Sequence, residues 1–244
     1  MKWTYAHPAF RHIRLLSFDV WGTLLRGHPD FKAVRQEIIA HMLGIHDRAH
    51  FARVARAVDD ELDAISDATG EDFNFTARVL EIAKRCGVHS TFLDIGFFEV
   101  MQAKVNAKYR MLPPSWIESD IPEILRLLKS RGYMLGLLSN TGFINGAAQR
   151  EAFAALGVLN LFAVTIFSDE ERIAKPDRRI YERLIARAGV PAKEILHIGD
   201  NLLADYRGSS TADITPLLYD PKQKCEENVR VITTMRTLPD LLVR

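Results

Sequence analysis

Short apolar runs alternate along this chain with stretches of helical period. The runs cover residues 13–20, 133–138, 164–167, 195–198, 216–219 and 229–233. A run apolar at nearly every position reads as a strand covered on both faces, the condition of a parallel sheet with helices on either side. The intervening segments carry the complementary pattern. Ile121, Ile124, Leu125 and Leu128 share one helical face, with Asp120 and Glu123 near its start and Gly132 just past its end. Ile180, Leu184, Ile185 and Ala188 repeat the pattern and stop at Gly189. Strands alternating with helices predict an α/β, doubly wound architecture around a mainly parallel sheet.

Residues 28–112 interrupt that alternation. They hold almost no strand-like run, and their apolar residues recur at helical spacing: Val34, Ile38, Ile39 and Met42, then Val54, Val58, Leu62 and Ile65. Val79, Leu80, Ile82 and Ala83 continue it, followed by Phe97, Val100, Met101 and Val105. Pro113 and Pro114 close the segment, since proline cannot continue a helix. Residues 28–112 are therefore expected to form an all-helical insert after the first strand, with residues 1–27 and 113–244 forming the α/β core.

Composition excludes several partners. The chain has 244 residues, with 32 basic against 31 acidic and a formal charge of +1, which gives no electrostatic reason to expect nucleic acid or an anionic membrane. Cys86 and Cys225 are far apart and in no C-x-x-C arrangement, as suits two reduced thiols. No stretch has the apolar length of a membrane span, and the first dozen residues, with His7, Pro8, Arg11 and His12, lack a signal-peptide core. A cytoplasmic protein is expected.

Chemistry concentrates at the strand ends. In an open parallel sheet, ligands collect outside the carboxyl ends of the strands. Asp19, Ser139 and Asp200 each sit at the end of an apolar run and are expected to project into one crevice. Around them stand four local patterns: Asp19-Val20-Trp21-Gly22-Thr23-Leu24, Leu137-Leu138-Ser139-Asn140, Lys175-Pro176-Asp177, and Gly199-Asp200 with Asp205 five residues on. In this order they resemble the four motifs of the haloacid dehalogenase (HAD) superfamily, and the resemblance covers nearly the whole chain. It implies a Rossmann-like core with a helical cap and a hydrolase acting on a small molecule, favouring a phosphorylated one.

The resemblance also implies roles. Asp19 would be the nucleophile, a competent one when held in line with an electrophile. Its repulsion from a phosphate dianion needs nearby cations, and Lys175 supplies one charge. Ser139, Asn140 and nearby backbone amides would bind phosphoryl oxygens, with Lys175 and Trp21 also facing substrate. Asp19, the backbone carbonyl of Trp21 and Asp200 would hold a magnesium ion, with Asp205 acting through water or orienting Lys175.

Trp21 departs from the family pattern, whose phosphatases usually read Asp-x-Asp-Gly-Thr. The second Asp serves the leaving group as acid and the attacking water as base, worth about 10²–10⁴-fold. An indole N–H does not titrate near neutrality. The 2-haloacid dehalogenases similarly place an aromatic residue here and expel halide, which needs no proton. They use no magnesium and lack the acid pair that this chain keeps, so phosphoryl chemistry is favoured. The alternatives are a dehalogenase-like hydrolase, whose halide-binding arginine is not assignable among Arg35, Arg48, Arg53 and Arg56, and a non-catalytic phosphate- or metabolite-binding protein.

Two further clusters read as structural. His46 and His50 have the spacing of a zinc motif but no third ligand in register, and are expected to be solvated or capping residues. Asp59, Asp60, Glu61 and Asp63 are expected to form a solvated helix face.

Overall fold

The structure is a computed structural model that describes residues 10–89 and 93–242. Of the residues read above, His7 and Pro8 lie outside the described residues, as do residues 1–9 of the core segment and 90–92 of the insert.

The first apolar run becomes β1 (Leu15–Phe18), buried along its whole length. A two-residue strand, β2 (Leu25–Arg26), follows, and then four helices: α1 (Phe31–Met42), α2 (Arg48–Thr69), α3 (Phe75–Arg85) and α4 (Ile95–Met111). The chain returns through β3 (Ser115–Trp116) to α5 (Ile121–Ser130) and β4 (Met134–Ser139). Next come α6 (Gly146–Ala155), β5 (Phe162–Phe167), a single turn α7 (Ser168–Glu171) and α8 (Arg178–Ala188). β6 (Ile195–Gly199) leads into a π-helical turn at Leu202–Arg207 and a short α9 (Gly208–Thr211), before β7 (Thr215–Tyr219) and β8 (Val231–Ile232).

The six longer-range strands pair in the order β5-β4-β1-β6-β7-β8, all parallel. β1 is central. Leu15 lies between Met134 on one side and Ile195 on the other, so Asp19, Ser139 and Asp200 emerge at one edge of the sheet. The predicted stripe of Ile121, Ile124, Leu125 and Leu128 is buried in α5. In α8, Ile180 and Leu184 of the predicted stripe are buried together with Tyr181, while Ile185 and Ala188 are only partly so. The last strand is shorter than its predicted span of residues 229–233, as befits a sheet edge.

Helices α1–α4 bury an apolar cluster of their own, including Phe51, Val58, Val79, Ile82, Met101 and Val105. Phe143, Ile144, Ala148 and Ala152, which follow β4, join it from the sheet side. Trp21 packs against both this cluster and the one under the sheet. Where the chain leaves for these helices and comes back, β2 and β3 pair antiparallel, Leu25 opposite Trp116, and Ile117 N donates to Leu24 O at 3.0 Å. Two-residue strands carry no readable period, so the sequence gives no sign of this neck. Cys86 and Cys225 are free thiols, and among the described residues no helix is long and apolar enough to cross a membrane.

Candidate active site

Asp19 follows β1 directly, its backbone N–H donating to Ile198 O at 2.9 Å across the sheet. Its side chain is buried, and Oδ1 accepts from Lys175 Nζ at 2.7 Å. The same ammonium donates to Asp205 Oδ1 at 2.5 Å, with Lys175 only 2% exposed. Asn140 holds the backbone of Lys175 from both sides. It accepts from Lys175 N at 2.8 Å and donates to Lys175 O at 3.0 Å.

Asp205 is fixed by the π-helical turn, in which Asn201 O accepts from both Asp205 N and Tyr206 N. The turn directs the Asp205 carboxylate back toward the sheet, where Oδ2 accepts from Asn201 N at 3.0 Å. His197 supplies a contact that sequence reading missed, hidden inside an apolar strand. Its Nε2 lies 3.1 Å from Asp205 Oδ1 and its Nδ1 3.0 Å from Ser17 Oγ. Burial holds the imidazole neutral. A carboxylate only accepts, so Nε2 carries the proton and Ser17 donates to Nδ1. Asp200 faces solvent and accepts from Thr23 Oγ1 at 3.4 Å.

Two glycines make room for these acids. A Cβ on Gly199 would sit 2.2 Å from Asp205 Cγ. One on Gly22, whose φ is +80°, would sit 2.2 Å from Asp200 Oδ2.

Charge in the cluster is unbalanced. Burial raises Asp19 to about 7 against the pull of Lys175, and the neighbouring Asp205 and Asp200 push it further up. Partial burial and then Asp205 raise Asp200 to about 6. For Asp205 the cost of burial is outweighed by Lys175 and His197, which hold it well below the usual carboxylate range. Burial opposes the charge on Lys175, yet its two aspartates keep it protonated. One ammonium thus stands against three carboxylates and is bonded to two of them. Ligand oxygens of Asp19, Asp200 and Asp205 lie within 4.8 Å of one another. Asp19 Oδ2 is buried without a hydrogen-bond partner among the described residues. Clustered hard oxygen donors short of positive charge fit a divalent cation such as magnesium.

The cluster opens into a cavity of about 430 Å³. Asp19, Trp21, Asn140, Lys175, Asp200 and Asp205 all line it. Ser139 does not line it; it is fully buried at the end of β4, its hydroxyl donating to Asn140 O at 3.2 Å. Thr141 stands at the wall instead, braced by Ser168 at 3.0 Å and 3.1 Å. Trp21 is half-buried and meets Tyr109 edge-on, with centroids 6.3 Å apart.

The opposite wall comes from the helices, and sequence reading largely missed it. Arg35, Asp59, Asp63, Asp67, Asp72 and Arg78 line it, with Phe143 from the loop after β4 beside them. Both guanidiniums lie over the Phe143 ring, at 3.7 Å and 5.6 Å from its centroid. Asp59 corrects an expectation: it is not part of a solvated face but is buried, with Arg35 at 3.3 Å and Arg78 at 3.9 Å. Its buried helical neighbours Ala55, Val58 and Leu62 turn it toward the cavity, where two arginines compensate the charge. The His46–His50 segment is a helix start, Asp47 accepting from His50 N at 2.9 Å.

A parallel sheet whose central strand ends at a buried aspartate, with a lysine and an acid pair at the same edge, defines the class. The family model of haloacid dehalogenase-like hydrolases matches residues 13–213, and the chain belongs to that family. Among its relatives is haloacid dehalogenase-like hydrolase domain-containing protein 3 of Danio rerio, 27% identical over 180 residues, 70% of this chain and 68% of that protein. A glyceraldehyde 3-phosphate phosphatase of Methanothermobacter thermautotrophicus is 31% identical over 115 residues, 47% of this chain and 48% of that one. In three dimensions a HAD phosphatase from Thermococcus onnurineus superposes with a TM-score of 0.66 at 24% identity, covering 94% of this chain and 98% of that one.

Proposed function

We propose that this hydrolase cleaves small phosphomonoesters with magnesium, through an aspartyl-phosphate at Asp19. The observation that carries the reading is the set of three converging carboxylates around a single buried lysine. A dehalogenase-like site acting without metal would have no use for such an excess of negative charge. The phosphatase among the relatives agrees with the reading.

Asp19, Asp200 and the Trp21 carbonyl would hold the ion, which, when bound, lowers the repulsion between the Asp19 carboxylate and a phosphoryl group. Lys175 steadies Asp19 and adds charge beside the phosphoryl oxygens. Asn140 fixes the Lys175 backbone, while His197 and Asn201 fix Asp205. Thr141 and the Ser139–Asn140 backbone offer hydrogen bonds to the phosphoryl group. Helices α1–α4, spanning residues 28–112 with their flanks, act as a cap that closes over the substrate and excludes water. The protein works on a small molecule in the cytoplasm.

The test is a panel of phosphomonoesters assayed with and without magnesium, beside 2-chloropropionate assayed for halide. Magnesium-dependent phosphate release is the expected result. Halide release without metal would replace this reading with the dehalogenase one. Ligand-induced stabilisation with no product from any compound would replace it with a binding protein.

A further inference from the structure

Phosphomonoester cleavage leaves an alkoxide that wants a proton, and Trp21 has none to give. The cavity above Asp19 contains four other carboxyls, three on α2 and Asp72 in the loop that follows it, and their partners separate them. Asp59 faces Arg35 and Arg78, and Asp63 lies 2.5 Å from Arg78, so guanidiniums engage both. Asp72 is tied to Ser168, away from the acid cluster. Asp67 alone is joined to the catalytic loop: its Oδ2 accepts from Asn201 Nδ2 at 2.8 Å, and Asn201 N in turn holds Asp205. One turn on, Gly70 O accepts from Ala174 N at 2.8 Å, next to Lys175. These two bonds dock the end of α2 on the loops that carry Lys175 and Asp205.

Resting on the phosphatase reading above, we infer that Asp67, delivered by α2 from across the cavity, is the general acid and base that Trp21 cannot be. As Asp19 forms its bond to phosphorus, protonated Asp67 gives its proton to the departing oxygen and the P–O bond to the alcohol breaks. The product alcohol leaves neutral. The resulting Asp67 carboxylate takes a proton from the water that attacks the phospho-aspartate. The P–O bond to Asp19 then breaks, and both carboxyls return to their starting forms. Half-burial raises the Asp67 pKa against the Asn201 bond, which suits a group that must hold a proton at rest. Because the acid rides on α2, the proton is in place only while the two docking bonds are made.

Asp67→Asn tests the inference, because the amide oxygen still accepts from Asn201 and the docking survives. With an alkyl phosphate the variant should lose about 10²-fold or more in kcat/KM, which reports the phosphorylation step and not the hydrolysis shared by all substrates. With p-nitrophenyl phosphate, whose leaving group departs unaided, the loss in kcat/KM should be no more than several-fold. Asp67→Glu should recover part of the alkyl phosphate activity. An equal loss of kcat/KM on both substrates would mean a docking role only, and no loss on either would mean no role; either result overturns the inference while leaving the phosphatase reading intact. A measurement on the unaltered protein stands beside it: rates across aryl and alkyl phosphates should vary little with leaving-group pKa. A steep dependence overturns the inference without any variant. Release of phosphate from no substrate by the unaltered protein overturns the phosphatase reading itself, and this inference falls with it.

Discussion

At the scale of single residues, the site is a problem in electrostatics that geometry solves incompletely without a cation. Asp19 ordinarily ionises near 3.8 and in the folded protein near 7, because it is buried among acids. Between those values the folded chain holds a proton that the unfolded chain has released. Metal-free stability should therefore fall as pH rises from about 4 to about 7. Asp205 contributes oppositely, and its share is lost only as pH drops below the ordinary carboxylate range. Denaturant unfolding in EDTA at pH 5 and pH 8 checks the sign, and magnesium should restore stability most at pH 8. His197, held neutral by burial, works in the opposite direction, so the comparison is with Asp19→Asn: a pH dependence in EDTA unchanged by that substitution would contradict the raised Asp19. Asp200→Ala should weaken magnesium binding in calorimetry at least tenfold, about 1.4 kcal/mol. Asp19→Asn should abolish turnover, because an amide is a poor nucleophile.

At the scale of elements, the loops matter more than the strands they leave. Gly199→Ala would drive a methyl into Asp205 at the last residue of β6, where neither backbone nor carboxylate can yield easily. The expected cost is about 1–3 kcal/mol of stability, with magnesium affinity falling alongside it, read by thermal unfolding and calorimetry. Asn140→Ala takes both hydrogen bonds from the Lys175 backbone and leaves a part-buried N–H without its acceptor. That should cost about 1–3 kcal/mol. Turnover should fall more than substrate affinity, since the lysine would lose its fixed place beside Asp19. A wild-type kcat in Asn140→Ala would show that Lys175 is positioned by other means.

At the scale of the whole molecule, the sheet and the helices bury largely separate apolar clusters, joined at the β2–β3 neck, Trp21, the Phe143 loop with α6, and the docked end of α2. The proposed closure of the helices over the substrate would work at these joints. Magnesium with a metal-fluoride phosphate mimic should slow hydrogen exchange at the Ala174 amide and near Asn201, where α2 docks. Exchange in the interior of β1 and β4 should be unaffected. Unchanged protection at Ala174 would argue that the helices do not close on ligand.

Much of this was legible in the chain because it rests on local pattern. Apolar runs on a parallel sheet are buried on both faces whatever their neighbours, so β1, β4, β5, β6 and β7 could be read within a few residues. Residues at the end of each run must stand at the sheet's edge, which puts Asp19 and Asp200 together from the sequence alone. Lys175 came from the order of motifs, but its shared bond to Asp19 and Asp205 could not, being a contact between residues 156 and 30 positions apart. The tertiary structure also decided which polar residues face inward. His197 sits in an apolar strand and Asp59 in an acidic run, and in each case the deciding fact is a partner distant in sequence: Ser17 for the one, Arg35 and Arg78 for the other. Burial of a polar group becomes tolerable only when its partner arrives, and the arrival is a property of the folded chain. By itself, then, the sequence determined the sheet, its order of chemistry and the missing acid at Trp21. Packing of α2 across the crevice decided what stands opposite, because no local pattern records which residues meet when two clusters close on one cavity.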